Sequence, residues 1–248
     1  MRTARSPSEY AKRNATNARL SPVPVLMPFL EPSRTFLARK AGIKSLPRLV
    51  AKTSKIDGVP AALVDPGIGA PAAVLTLEEC IQRGYRDFLF LGACGGIENG
   101  LRIGDIVLPE EAISEEGTSR LYTRAGPIFK PNANLTNMLE KAALDSDLNV
   151  HRGLVWTTDA PYRETPARIS RYKRLGAIGV DMESSALFAV AGLRKARLAG
   201  LLVVSDLLHD KWVIGWNRKA YRAAEDKARG IVVNVAVSLA DNARRRSG

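Results

Sequence analysis

Residues 87–96, DFLFLGACGG, constrain the fold more than any other stretch. The run is continuously apolar and closes in small residues, the pattern of a strand covered on both faces. LAGLLVVSD (198–206) is a second such run, with its polar residues held to the end. PVPVLMPF (22–29), VPAALVDPGIGAP (59–71), GDIVLPEEAI (104–113), HRGLVWTTD (151–159) and IGVDM (178–182) supply further strands, the second followed by a turn rich in Gly and Pro. Helical spacing occupies 32–42, 72–84, 132–147, 165–176, 183–196 and 219–246. In 132–147, Asn132 is placed as an N-cap, and Leu135, Met138, Leu139, Ala142 and Ala143 share a face. Strands alternating with helices predict an α/β fold around a largely buried sheet.

At 248 residues and 46% hydrophobic content, one domain of upper-normal size is expected. The division read from the sequence is a flexible basic arm (1–21), one core domain (22–241) and a basic tail (242–248). The formal charge of +12 points to acidic partners such as phosphate or nucleotides. Much of it lies near the ends, in Arg2, Arg5, Lys12, Arg13 and Arg19 and in Arg244–Arg246. No aromatic residues interleave in the basic pattern that single-strand binding uses, so nucleic acid is an unlikely partner. Cys80, Cys94, His151 and His209 have no metal-ligand spacing, and no metal is expected. No apolar run reaches membrane-spanning length, and a reducing cytoplasm is the expected location.

Four strands end in acids or small residues. In open α/β sheets, ligands bind beyond the carboxyl ends of strands, which gathers Asp159, Asp181, Glu183 and Asp206 as candidates. Taken singly, each acid reads first as a helix N-cap or a loop charge. Four at equivalent positions point to a site. A carboxylate accepts two hydrogen bonds from a vicinal diol, and a ribose presents one. Glu183 is therefore expected to hold sugar hydroxyls, with Asp181 in support and the thioether of Met182 against sugar or base. Asp206 follows a buried strand. Partial desolvation there favours a carboxyl that carries a proton near neutral pH, suited to a purine leaving through N7.

MPFLEPSR, GIGAP, FLFLGACGGI, GDIVLP, TTDAPYRE, GVDMESSALF and LLVVSD occur in the order and approximate spacing of the nucleoside phosphorylase family. Residues 22–240 resemble that family, which includes purine nucleoside phosphorylase, uridine phosphorylase and the methylthioadenosine nucleosidases. The resemblance implies a mixed, twisted, partly barrel-like sheet flanked by helices, and a homo-oligomer (dimer, trimer or hexamer). It implies cleavage of an N-ribosidic bond through an oxocarbenium-like sugar. Phosphate or water is the nucleophile, and no cofactor is needed. It makes Asp206 the catalytic acid of the purine-specific branch, and Glu183 and Met182 the ribose contacts. Asp181 stands where many relatives have Glu. The tract with Asp159, Pro161 and Tyr162, together with Ser205, corresponds to the base site.

Arg34, Gly67, Gly92, Ala93 and Arg163 correspond to the phosphate or nucleophile site. Two departures fall there. Phe90 and Ala93 stand where phosphorylases supply an Arg and a hydroxyl residue, and neither side chain donates a hydrogen bond. Backbone amides around Gly67, Gly69, Gly92 and Gly95 remain as anion donors. Phosphorolysis is the expected reaction. Hydrolysis, with Glu31 as a candidate base, and a nucleoside-binding protein without catalysis are the alternatives.

Overall fold

The computed structural model describes residues 21–56, 58–124, 126–208 and 211–247. The expected basic arm lies outside these residues except for Ser21, whose amide donates to Gly84 O at 3.2 Å.

The sheet is mixed and turns on β4 (Asp87–Gly96). On one edge of β4, β9 (Arg197–Leu208) runs parallel along its whole length, with a bulge between Cys94 and Gly95. From β9 the sheet passes antiparallel to β5 (Ile106–Ser114), parallel to β7 (Val150–Thr157) and parallel to β8 (Ala177–Asp181). β8 returns antiparallel to β4, pairing Gly95 with Val180. These five strands close a barrel, so none of them is a free edge. β1 (Val25–Pro28), β3 (Val59–Leu63) and β2 (Lys52–Ile56) extend the sheet outward from β4. β6 (Ile128–Phe129) pairs with β5, and β10 (Trp212–Ile214) folds back on β9.

The apolar runs of β4 and β9 are buried except at Ala93 and Leu207, which are half-buried, and at their first residues, which is why they lack polar alternation. Phe88 and Phe90 face one layer, with α2 (Ala70–Gln82) and α6 (Ser184–Leu193). Leu89 and Leu91 face the other, with α4 (Ala133–Leu144) and α7 (Lys219–Ser247). Asn132 does cap α4, accepting from Leu135 N at 3.1 Å. α1 (Glu31–Lys40), α3 (Ser119–Tyr122), a 3-10 turn (Pro161–Arg163) and α5 (Pro166–Arg174) complete the chain. Phe90 lies directly opposite Gly200 on β9, and a Cβ at Gly200 would come within 2.0 Å of the ring. Only glycine leaves that space. The stretch read as a basic tail continues α7 as far as Ser247. Among the described residues, no helix is long and apolar enough to cross a membrane.

Candidate active site

β1 and β8 share one edge of β4 without meeting. β1 leaves at Pro28↔Leu91, and β8 arrives at Gly95↔Val180. Between them, Gly92, Ala93 and Cys94 are paired to neither. Gly95 is flanked by Val180 on one side and by Asp206 on the other. At about 4.8 Å per strand spacing, the ends of β8 and β9 stand about 10 Å apart across β4. Buried Cys94 feels the charges of both Asp181 and Asp206, and these charges, after burial itself, raise its thiol pKa.

The segment Asp181–Glu183 passes from β8 into α6. Asp181 is buried and accepts from Thr157 Oγ1 at 2.7 Å and from Ser184 N at 2.8 Å. It therefore caps and anchors the start of α6, and its contribution to a binding shell is through the backbone it holds. Glu183 is half-buried, and its Oε1 accepts the amide of Gly69 at 2.7 Å. That contact joins α6 to the turn after β3. Gly69 has φ of +83°, a conformation L side chains rarely adopt, and it begins α2. Burial first, and the charge of Asp181 second, push the Glu183 carboxyl well above the usual carboxylate range. Met182 is half-buried beside it.

Asp206 is buried near the end of β9. Its Oδ1 lies 2.7 Å from Ser205 Oγ, and its Oδ2 accepts the indole N–H of Trp212 at 2.7 Å. Ser205 Oγ is also 3.1 Å from Cys94 O. A hydroxyl has one proton. That proton goes to either Cys94 O or Asp206 Oδ1, both within donating distance. Ser205, expected at the base, thus supports Asp206. Trp212 was not picked out from the sequence. Ile214 of β10 lies opposite Asp206, and Trp212, two residues earlier, takes the diagonal position on the same face.

The expected anion site is arranged differently. Arg34 Nη1 donates to Phe29 O at 2.8 Å and lies 3.7 Å from Asp65 Oδ1. The amide of Gly67 also donates to Asp65, at 3.0 Å, and the amide of Gly69 is held by Glu183. Both turn amides expected to cradle an anion already serve carboxylates. Gly92 is buried, and its Cβ direction is filled by Leu202 Cδ2 at 2.9 Å. Ala93 is half-buried. Phe90 is fully buried, with its ring centroid 6.1 Å from those of Phe29 and Phe188. An aromatic cluster thus holds the position the resemblance gives to a cation.

Five further candidates lie outward. Asp159 is exposed, and its Oδ2 accepts Gly117 N at 2.8 Å, so the four acids do not converge as a set. Pro161, Tyr162 and Arg163 are exposed on the 3-10 turn, Tyr162 almost completely. Glu31 is exposed and accepts from Thr35 Oγ1 at 2.7 Å within the first turn of α1. Glu164, also missed from the sequence, ends the 3-10 turn and is half-buried although its three predecessors are exposed. A recess of about 320 Å³ between β5, β7 and the start of α4 lies elsewhere, and its charges pair among themselves: Lys130 with Glu111 at 2.8 Å and Arg152 with Glu110 at 2.9 Å.

The family model of the phosphorylase superfamily matches residues 34–236. The chain belongs to the phosphorylase superfamily. This superfamily member is 31% identical over 150 residues to the guanosine phosphorylase of Halorubrum lacusprofundi, an alignment covering 60% of this chain and 62% of that one. It is 29% identical over 181 residues to a DeoD-type purine nucleoside phosphorylase of Brevibacillus brevis, covering 70% and 75%. Among solved structures, it superposes on the purine nucleoside phosphorylase of Toxoplasma gondii in complex with immucillin-H with a TM-score of 0.76, at 18% identity, over 90% of this chain and 93% of that one. It superposes on the 5′-methylthioadenosine/S-adenosyl homocysteine nucleosidase of Campylobacter jejuni with a TM-score of 0.74, at 16% identity, over 87% and 99%. These likenesses establish the fold of this superfamily member: an α/β domain with a five-strand barrel flanked by helices.

Proposed function

We propose that the protein cleaves the N-ribosidic bond of a purine nucleoside. The observation that carries this reading is the register of β4, with the strand end leading to Glu183 on one side of Gly95 and Asp206 on the other. A nucleoside across that opening presents its sugar diol to Glu183 and its base to Asp206. As the C1′–N9 bond breaks, its electron pair goes to the base, and Asp206 delivers a proton to N7. The nucleophile adds to C1′ of the oxocarbenium-like sugar. Phosphate is that nucleophile by analogy with the named phosphorylases.

Hydrolysis is the second reading, and a specific observation favours it. Arg34 is paired with Asp65, the amides of Gly67 and Gly69 serve carboxylates, and Phe90 sits in an aromatic cluster. Water needs no cationic cradle.

The test is a panel of purine and pyrimidine nucleosides incubated with and without phosphate, with release of free base measured. Purine release that requires phosphate supports phosphorolysis, and release independent of phosphate supports hydrolysis. Asp206→Asn should abolish release while preserving nucleoside binding. A wild-type protein that binds purine nucleosides yet releases no base at any phosphate concentration is a binding protein, and the enzyme reading then fails.

A further inference from the structure

Asp65 stands at the entry to the glycine turn, and both of its carboxylate oxygens are engaged. Oδ1 accepts Gly67 N at 3.0 Å and lies 3.7 Å from Arg34 Nη1, and Oδ2 accepts Arg48 Nε at 3.2 Å. The Asp65 side chain is 14% exposed, so water and salt screen its charge little. An Asx turn accounts for the Gly67 contact alone. Two guanidinium groups and an amide around one carboxylate form a donor set that tetrahedral anions also use. The backbone fixes the arrangement. Asp65 N donates to Pro47 O at 2.8 Å, which brings Arg48 alongside. Arg34 Nη1 donates to Phe29 O at 2.8 Å, and Phe29 N donates to Leu91 O at 2.8 Å, one residue before Gly92. Ser33, beside Arg34, donates to buried Glu225 of α7 at 2.6 Å.

The cluster adjoins the site through the turn itself. Gly67 N serves Asp65, and Gly69 N serves Glu183. Two residues span at most about 7 Å. A ribose held at Glu183 therefore has the Asp65 cluster beside it.

We propose that Asp65 selects the nucleophile: its carboxylate occupies the place of an anion between Arg34, Arg48 and Gly67 N, and so keeps inorganic phosphate from the sugar. This rests on the reading of the site as one that cleaves a nucleoside. A phosphate ion entering the cluster must displace the carboxylate or sit against it, and like charges at that range repel. Water meets no such barrier. Removing that one charge turns the same donors toward phosphate.

The test is calorimetric titration of inorganic phosphate into the full chain as wild type, Asp65→Asn, and Asp65→Asn combined with Arg34→Gln. Asp65→Asn keeps an oxygen for Gly67 N and loses the charge. It is expected to bind phosphate at least about 10-fold more tightly than wild type, and adding Arg34→Gln should undo the gain. Base release from purine nucleosides should become phosphate-stimulated in Asp65→Asn. Asp65→Ser, which also offers Gly67 N an oxygen, repeats the comparison if Asp65→Asn does not fold. Failure of both to fold makes Asp65 a structural link and overturns the assignment. Equal phosphate affinity in wild type and variant overturns it too, as does a gain that survives Arg34→Gln. Tighter binding with base release still indifferent to phosphate puts the anion away from the sugar and also overturns it. If no protein releases base, the affinities still decide whether Asp65 excludes phosphate, and the cleavage reading alone falls.

Discussion

The amide of Gly69 donates to Glu183 Oε1 across 2.7 Å, between residues 114 positions apart. The contact ties the turn after β3 to the start of α6. Glu183 also lies beside the buried charge of Asp181, which disfavours its ionised form.

This has a consequence for stability. The folded-state pKa of Glu183 lies above its unfolded value, so its contribution is fully present below about pH 4.3 and is lost as pH rises to its folded value. Glu183→Gln should therefore stabilise the ligand-free protein at alkaline pH relative to wild type by on the order of 1 kcal/mol, read as a higher melting temperature, and much less in acid. The same variant should weaken nucleoside binding by about 10-fold or more at alkaline pH, where Glu183 is ionised and its charged acceptor is lost. Thermal melts across pH check the first outcome, and calorimetry checks the second.

Trp212 bonds to Asp206 through its indole N–H, while 60% of the residue remains exposed. Trp212→Phe keeps a ring and removes the donor. It should lower turnover by roughly 10-fold and displace the pH–rate profile, with little change in melting temperature. A variant with wild-type turnover and profile would show that this hydrogen bond does not position the acid.

Phe90 and Gly200 form a pair in which one side chain occupies the place of the other. Gly200→Ala forces its methyl group into the ring of Phe90 and should destabilise strongly. Phe90→Ala alone should cost about 3–5 kcal/mol from the cavity it leaves. The double variant should be more stable than the two losses added, which denaturant unfolding of all four proteins measures as a coupling energy.

Arg34 separates the two nucleophiles. If phosphate enters, Arg34→Gln should raise the phosphate KM by about 10-fold or more, because a charge-assisted contact is lost. If water is the nucleophile, base release should change little. Initial rates over a phosphate series distinguish the two.

β4 and β9 were readable from sequence because a strand buried on both faces has no reason to alternate. β2, with the sequence KTSKI, was not: it is an exposed outer strand whose pairing with β3 is invisible in its own residues. The positions of Asp206 and Glu183 followed from the ends of apolar runs. Their partners did not. Trp212 reaches Asp206 only because β10 reverses over β9 with Ile214 opposite Asp206, and no periodicity encodes that register. Glu164 sits among exposed neighbours, so its own half-burial is not legible in the sequence. Asp181 was weighed as a helix cap, and the hydrogen bonds to Ser184 and Thr157 fit that simpler role.

Closure of β4, β9, β5, β7 and β8 into a ring leaves those strands no freedom to slide past one another. Adaptation to a new nucleoside must then fall to the segments outside the staves: the glycine turn at 65–69, the bend around Glu164, and the hairpin that carries Trp212. Evolution can exchange such pieces as a lockmaker changes wards, leaving the barrel that aligns them uncut.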